Sequence, residues 1–482
     1  MNVSFLQELL NTVAEQGRSL LPKSLFREDP DRGLQALVQA LVSERGEASG
    51  VAIARQLLHH YKLLKAEERE AFFRYIAHTL TPESSRVADA ARAYLDKPSP
   101  GSLLNLQKAV ESPRQEFFRR LNLAPGATAD LVAMRRDLLG FLKKYPELTV
   151  VDSDLRHLLY SWFNRGFLVL RRIDWQTSAS ILEKIIAYEA VHEIKGWEDL
   201  RRRLDPADRR CFAFFHPSLI DDPLIFVEVA LMQDIPGAIA PVLHEPAKSE
   251  PIENPTTAVF YSISNCQEGL KGVSFGNFLI KQVVEELVRE VPSLKTFVTL
   301  SPVPTFARWL EKESLDAASE VVTEEDREVL TSLKPASWAS SEQENAELKA
   351  SVLALAADYF LRAKSADNKP VDPVARFHLG NGARLERINW LGDTSEKGLR
   401  EAHGLMVNYR YELKEIEKNH EAYANDGPVA CSRAVKALLR SPSKTKSFVK
   451  TVVQPEPPKA LAPPKKSPEE DKIEAPAMPK AE

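Results

Sequence analysis

Between Ala258 and Ser301 the sequence reads as a strand, a glycine-rich turn, an amphipathic helix and a second strand. That order restricts the chain to a sheet with helices packed on it, an α/β or α+β arrangement. AVFYSISNC (258–266) is rich in β-branched and aromatic residues, as strands are. QEGLKGVSFGN (267–277) is the turn, and LIKQVVEELVREV (279–291) spaces its apolar residues helically. FVTLS (297–301) closes the unit, and Pro302 and Pro304 stiffen the chain just beyond it. FLVLRRIDW (167–175), CFAFFHP (211–217) and PLIFVEVALM (223–232) add further strands to the same sheet. A helix, ASILEKIIAYEAVHEI (179–194), lies among them.

The chain before this region has a different character. From its start to about residue 160, segments such as LQALVQALVSE, VAIARQLLHHYKLL and ATADLVAMRRDLLGFLKKY place apolar residues three and four apart. KPSPGS (97–102) and APGA (124–127) punctuate them. No fixed period recurs, so the expected form is a helical bundle and not a solenoid. After residue 303 the sequence turns helical and charged again. This reading extends helix across ARFHLGNGARLERINWL (375–391) and Asn408-Tyr409-Arg410-Tyr411. From Ser441 onward, nine prolines among many Lys and Glu leave too little apolar surface to bury, and a disordered tail is expected. The predicted domains are residues 1–162, helical and a candidate for self-association; residues 163–440, catalytic; and residues 441–482, the tail.

Composition narrows the function. A net charge of −4 offers no nucleic acid a polyelectrolyte partner. Three widely spaced cysteines form neither a disulfide framework nor a zinc pattern, and no HExxH is present, so no metal is expected. No apolar run reaches bilayer-spanning length, and the first residues are not those of a secretory signal or an Arg-rich presequence. The expectation is a cytoplasmic protein with no membrane partner.

Four segments carry candidate chemistry. The loop Lys271, Gly272, Val273, Ser274, Phe275, Gly276 and Asn277 opens a helix after a strand, where backbone N–H groups and the helix dipole favour phosphate. It matches neither GxGxxG nor the P-loop pattern. Ser301 ends a strand, where ligands of open sheets gather. It is equally suited to capping a following helix. His378 lies in FHLGNGA, close to Asn389, and a histidine on a helix is as well explained by packing. Tyr409 and Tyr411 have the same two readings. Ser301 lacks a GxSxG elbow, which disfavours an ordinary hydrolase.

Taken together, GFLVLRRIDW, CFAFFHPSLIDDPLIFVEVAL, FYSISNCQEGLKGVSFGNFLIKQVVEEL, FVTLSPVP, FHLGNGARLERINW and GLMVNYRY resemble the malonyl-CoA decarboxylase family. The resemblance implies a helical bundle followed by a GNAT acyltransferase-like α/β domain. It implies conversion of malonyl-CoA to acetyl-CoA and CO2 with no cofactor, coenzyme A being part of the substrate. It places the catalytic pair on Ser301 and His378 and the CoA loop on Lys271 through Asn277. Asn389, Tyr409 and Tyr411 are then supporting donors, and a homo-oligomer is expected. A GNAT acyltransferase acting on an amine and a non-catalytic CoA-binding scaffold are the competing readings.

Overall fold

The computed structural model describes residues 12, 30–43, 46–243, 253–273, 279–333, 346–425 and 428–440. Ser274 to Asn277 of the expected CoA loop, and the tail expected after Ser441, lie outside the described residues.

The N-terminal region is helical. Its described helices are α1 (Pro30–Val42), α2 (Glu47–Leu63), α3 (Ala66–Thr79), α4 (Ser84–Asp96), α5 (Pro100–Val110), α6 (Pro113–Leu121), α7 (Ala127–Phe141) and α8 (Thr149–Trp162). Serine and proline set the starts of α5 and α6. Ser99 Oγ accepts the Ser102 N–H at 3.1 Å, Ser112 Oγ accepts the Arg114 N–H at 3.2 Å, and a proline opens each helix. Phe73, Phe117, Phe118 and Leu138 fill the bundle core.

The sheet begins with β1 (Val169–Ile173), followed by α9 (Ala179–Tyr188) and α10 (Trp197–Leu204). Then come β2 (Arg209–Phe215), β3 (Pro223–Met232), α11 (Ala240–Leu243), β4 (Thr257–Asn265) and α12 (Leu279–Glu290). β5 (Thr296–Thr299) and β6 (Ser301–Pro302) precede α13 (Phe306–Leu315), α14 (Glu324–Leu330) and α15 (Ala346–Leu361). The described chain closes with α16 (Pro373–Gly380), β7 (Arg384–Asn389), α17 (Glu396–Ala402), β8 (Met406–Arg410), α18 (Ile416–Ala424) and α19 (Arg433–Ala437). Strand order is β1-β2-β3-β4-β5-β8-β6, with β7 also on β8. Every pairing is antiparallel except β4 with β5, which is parallel. The helical bundle followed by a mixed α/β sheet domain agrees with the fold class expected from the sequence.

Three expectations are corrected. The helix starting at Ala179 ends at Tyr188 and does not reach Ile194. There Glu189 turns back, and its Oε1 accepts the N–H groups of Val191 (2.8 Å) and His192 (2.7 Å). Arg384–Asn389 and Met406–Arg410 are strands, not helix. Their alternation is hidden by a bulge between Leu385 and Arg387 and by the buried Asn408.

The bundle also contributes residues to the core of the sheet domain. Val132 of α7 and Leu159 of α8 pack in the cluster that holds Leu270, Val273 and Leu279. Gly269 marks the tightest point: a β-carbon there would lie 1.9 Å from the Val132 carbonyl oxygen. This glycine serves the close approach of α7.

Candidate active site

β4 and β5 run together until the Leu300 N–H bonds the Phe260 carbonyl at 2.9 Å, and then they part. Ser301 sits in that opening. It is not a helix cap: α13 starts at Phe306, and Ser301 stays in the sheet opposite Val407. The capping alternative is thereby removed. What fixes the serine is strand pairing together with Thr299. Thr299 Oγ1 accepts the Ser301 hydroxyl at 2.8 Å and the Tyr409 N–H at 3.1 Å.

His378 arrives from the other side on α16. Asp372 caps this helix, its Oδ1 accepting the Ala375 N–H at 2.7 Å. The Asp372 Oδ2 accepts the Tyr359 hydroxyl at 3.2 Å, and that hydroxyl lies 2.5 Å from Thr305 Oγ1. At the far end of α16, Gly382 turns the chain with φ of 81°, and a β-carbon there would lie 2.2 Å from the Ile416 carbonyl oxygen. The result brings together residues 77 apart in sequence: His378 Nε2 is 3.2 Å from Ser301 Oγ. Nδ1 is 2.8 Å from the Tyr411 hydroxyl, and the Tyr409 ring stacks on the imidazole at 4.6 Å. With Ser301 donating to Thr299, Nε2–H donates to Ser301 and the Tyr411 hydroxyl donates to Nδ1.

Burial decides the electrostatics. Ser301, His378, Tyr409 and Tyr411 are all buried. Desolvation lowers the pKa of His378 to about 3, so the imidazole is neutral. Burial pushes Tyr409 and Tyr411 well above the usual phenol range, so both remain protonated donors. The His378 shift carries a stability consequence. Below its ordinary value of 6.5 the unfolded chain binds a proton there that the folded chain refuses. Stability therefore falls as pH drops from 6.5 toward 3, by ~1.4 kcal/mol per pH unit from this group. The gap between urea midpoints at pH 6.5 and 5 should be larger in the parent than in His378→Asn, where His192, its pKa likewise lowered by burial, still contributes. An equal pH slope in both would contradict the assignment.

Asn389 does not join the pair. Its amide donates to Asn408 Oδ1 at 2.8 Å, as Arg387 Nε does at 3.1 Å. Asn408 in turn donates to the carbonyls of Thr299 (2.8 Å) and Pro236 (3.2 Å). Asn389 thus ties β7 to β8, and Asn408 ties β8 to β5 beside the serine. Thr299 and Asn408 carry this bracing and were not among the expected site residues, because nothing in an isolated strand sequence shows which polar side chains it buries.

Ser301 and His378 line a cavity of 220 Å³ with Phe260, Ile263 and Asn265 of β4. A larger groove of 680 Å³ adjoins it, sharing Asn265 and Phe377. Lys271, Gly272 and Val273 line the groove, and Gly272 turns with φ of 77°. The described part of the expected CoA loop therefore lines a groove that borders the cavity of the serine and histidine. The turn is held from the helical region: the buried Arg135 of α7 donates through Nη1 to the Gly269 carbonyl at 2.7 Å and through Nε to Asp152 of α8 at 2.8 Å. The sequence reading missed this contact.

The family described as Malonyl-CoA decarboxylase C-terminal domain matches residues 166–449, and the corresponding N-terminal domain matches residues 80–163. The chain belongs to the malonyl-CoA decarboxylase family. A protein of Anser anser anser named malonyl-CoA decarboxylase, mitochondrial, is 33% identical over 467 residues, covering 90% of this chain and 91% of the relative. The protein of the same name from Rattus norvegicus is 37% identical over 361 residues, covering 69% of this chain and 72% of the relative. Among solved structures, the malonyl-CoA decarboxylase of Rhodopseudomonas palustris superposes with a TM-score of 0.81 at 53% identity, covering 84% of this chain and 99% of that one. That of Agrobacterium vitis gives 0.80 at 55% identity, covering 85% and 100%. No described helix of this family member is long and apolar enough to cross a membrane.

Proposed function

We propose that this protein is a malonyl-CoA decarboxylase, converting malonyl-CoA to acetyl-CoA and CO2. Its catalytic residues are Ser301 and His378, in a catalytic domain spanning residues 163–440. The observation that carries the reading is the 3.2 Å Ser301–His378 contact in a cavity that adjoins the groove lined by Lys271 and Gly272. Family membership supports the substrate.

Loss of CO2 breaks the bond between the α-carbon and the carboxyl carbon and leaves its electron pair in a thioester enolate. An apolar enclosure favours this step, because the carboxylate loses charge as the bond breaks. Phe260 and Ile263 supply such walls. Ser301 orients the carboxylate by turning its hydroxyl from Thr299 Oγ1 to the substrate. His378 is neutral before substrate enters, and the substrate carboxylate beside it raises its pKa, as an opposite charge does. The imidazole therefore gains its proton with substrate and delivers it to the α-carbon, balancing one proton taken up per CO2 released. Tyr411, donating to Nδ1, and Tyr409, stacked on the ring, hold the imidazole in orientation.

The exposed Leu95 and Leu104 on α4 and α5 support self-association, and the free thiols Cys211, Cys266 and Cys431 support a reducing, cytoplasmic setting. Light scattering that returned the single-chain mass of 54.0 kDa would remove the first of these. For the reaction, malonyl-CoA is supplied with and without a primary amine. Acetyl-CoA should form at the same rate in both. Amine-dependent loss of the thioester with the carboxylate retained would mark an acyltransferase instead.

A further inference from the structure

We propose that the helical region supplies a side chain to substrate recognition: Arg156 of α8 binds a phosphate group of the acyl-CoA. The inference rests on the malonyl-CoA reading and adds to it a recognition residue outside the sheet domain.

The geometry begins at the turn. Gly272 is exposed on the loop with φ of 77°, and Arg156 Cδ lies 4.0 Å from where a β-carbon on Gly272 would stand. The Arg156 side chain therefore borders the turn that carries Lys271. Both Arg156 and Lys271 are exposed, and neither side chain has a hydrogen bond or ion pair among the described residues. Neighbouring arginines behave differently. Arg135 is spent on Asp152 and Gly269, and Arg136 contacts Asp137. Two uncommitted cations flanking one glycine turn form a place for an anion.

Charge demand points the same way. The groove is lined by two cations, Lys271 and Arg376, and one acid, Glu268. Arg376 Nη1 is directed to the Pro370 carbonyl at 3.4 Å. A phosphomonoester carries about −1.5 to −2 near neutral pH, and the CoA diphosphate adds further charge. Lys271 alone does not balance that. Arg156 adds a planar, permanently charged donor set suited to phosphate oxygens. The turn cannot drift from α8 to escape this role, because Arg135 and the close approach at Gly269 fix it to α7.

The test compares parent, Arg156→Ala and Arg156→Lys on malonyl-CoA, malonyl-3′-dephospho-CoA and malonyl-pantetheine. With malonyl-CoA, Arg156→Ala should raise KM about tenfold, the loss of one charge-assisted hydrogen bond, and leave kcat within about twofold. Arg156→Lys should recover part of this loss. With malonyl-pantetheine, which has no phosphate of CoA, the alanine variant should match the parent. If the effect vanishes already with the dephospho substrate, the 3′-phosphate is the group bound; if it persists there, the diphosphate is. An undiminished KM effect on malonyl-pantetheine, or no effect on malonyl-CoA, overturns the proposal. Parent protein that leaves malonyl-CoA intact would instead overturn the reaction assignment. Calorimetric titration of CoA and pantetheine into the same variants then decides the Arg156 role by the same pattern.

Discussion

His378→Ala is expected to lower kcat on malonyl-CoA by about 10²–10⁴-fold, the range for loss of a positioned proton donor. The imidazole is the group that both touches Ser301 and sits at the cavity wall, so no neighbour can replace it. Tyr411 is held behind it at Nδ1 and faces the wrong nitrogen. Because the site is buried, the alanine also leaves the Tyr411 hydroxyl without its acceptor and opens a cavity, which costs stability. His378→Gln separates the two effects. It keeps hydrogen-bonding groups but cannot take up a proton, so it should fold well and still lose kcat to a similar extent. Ser301→Ala should cost less, about 10–10²-fold, since it orients the carboxylate and transfers no proton. Steady-state kinetics on folded protein decides the matter. A His378→Gln enzyme within threefold of the parent kcat would remove the histidine from the chemistry.

Arg135→Ala should destabilise the protein by about 3–5 kcal/mol, the usual cost of breaking a buried ion pair by removing one partner. Arg135 and Asp152 side chains are 2% and 11% exposed, so water cannot take over for the lost guanidinium. The change strands two groups, the Asp152 carboxylate and the Gly269 carbonyl. Its second effect is on substrate. Gly269 lies two residues before Lys271, so freeing the carbonyl loosens the turn that lines the larger groove. KM for malonyl-CoA should therefore rise in Arg135→Ala at temperatures where the variant is still folded. Arg135→Lys keeps the charge but lacks the rigid fork that meets Asp152 and Gly269 through separate nitrogens, and it should recover only part of both losses. Thermal unfolding and KM measured on the same preparations check the account. A fully stable Arg135→Ala protein with unchanged KM would show that the bundle does not support the turn.

These residues also show what a sequence can and cannot disclose. PLIFVEVALM declared itself as strand because Ile, Phe and Val dominate it, and the observed β3 covers it from Pro223 to Met232. RLERIN and MVNYR were read as helix because a bulge breaks the alternation of the first and because the second buries polar groups that usually face water. Ser301 offered two readings, and its partner across the sheet, Val407, lies 106 positions later, beyond any local pattern. His378 was identifiable only through resemblance. Its depressed pKa depends on enclosure by Tyr409, Tyr411 and the sheet, which is a property of the packing. Arg135 stands in MRRD, where a charged pair on an amphipathic helix reads as solvent-facing. Nothing nearby signals that the first arginine crosses to a loop 134 residues away.

The most direct test follows the carboxyl carbon itself. Malonyl-CoA labelled with ¹³C at the free carboxylate is mixed with the purified protein, and ¹³C NMR is recorded together with the thioester products. The account predicts that the carboxylate signal is replaced by CO2 and bicarbonate in step with unlabelled acetyl-CoA, one for one, and that this stops in His378→Gln. Label that stays in malonyl-CoA, or that moves intact to another acceptor, would contradict it.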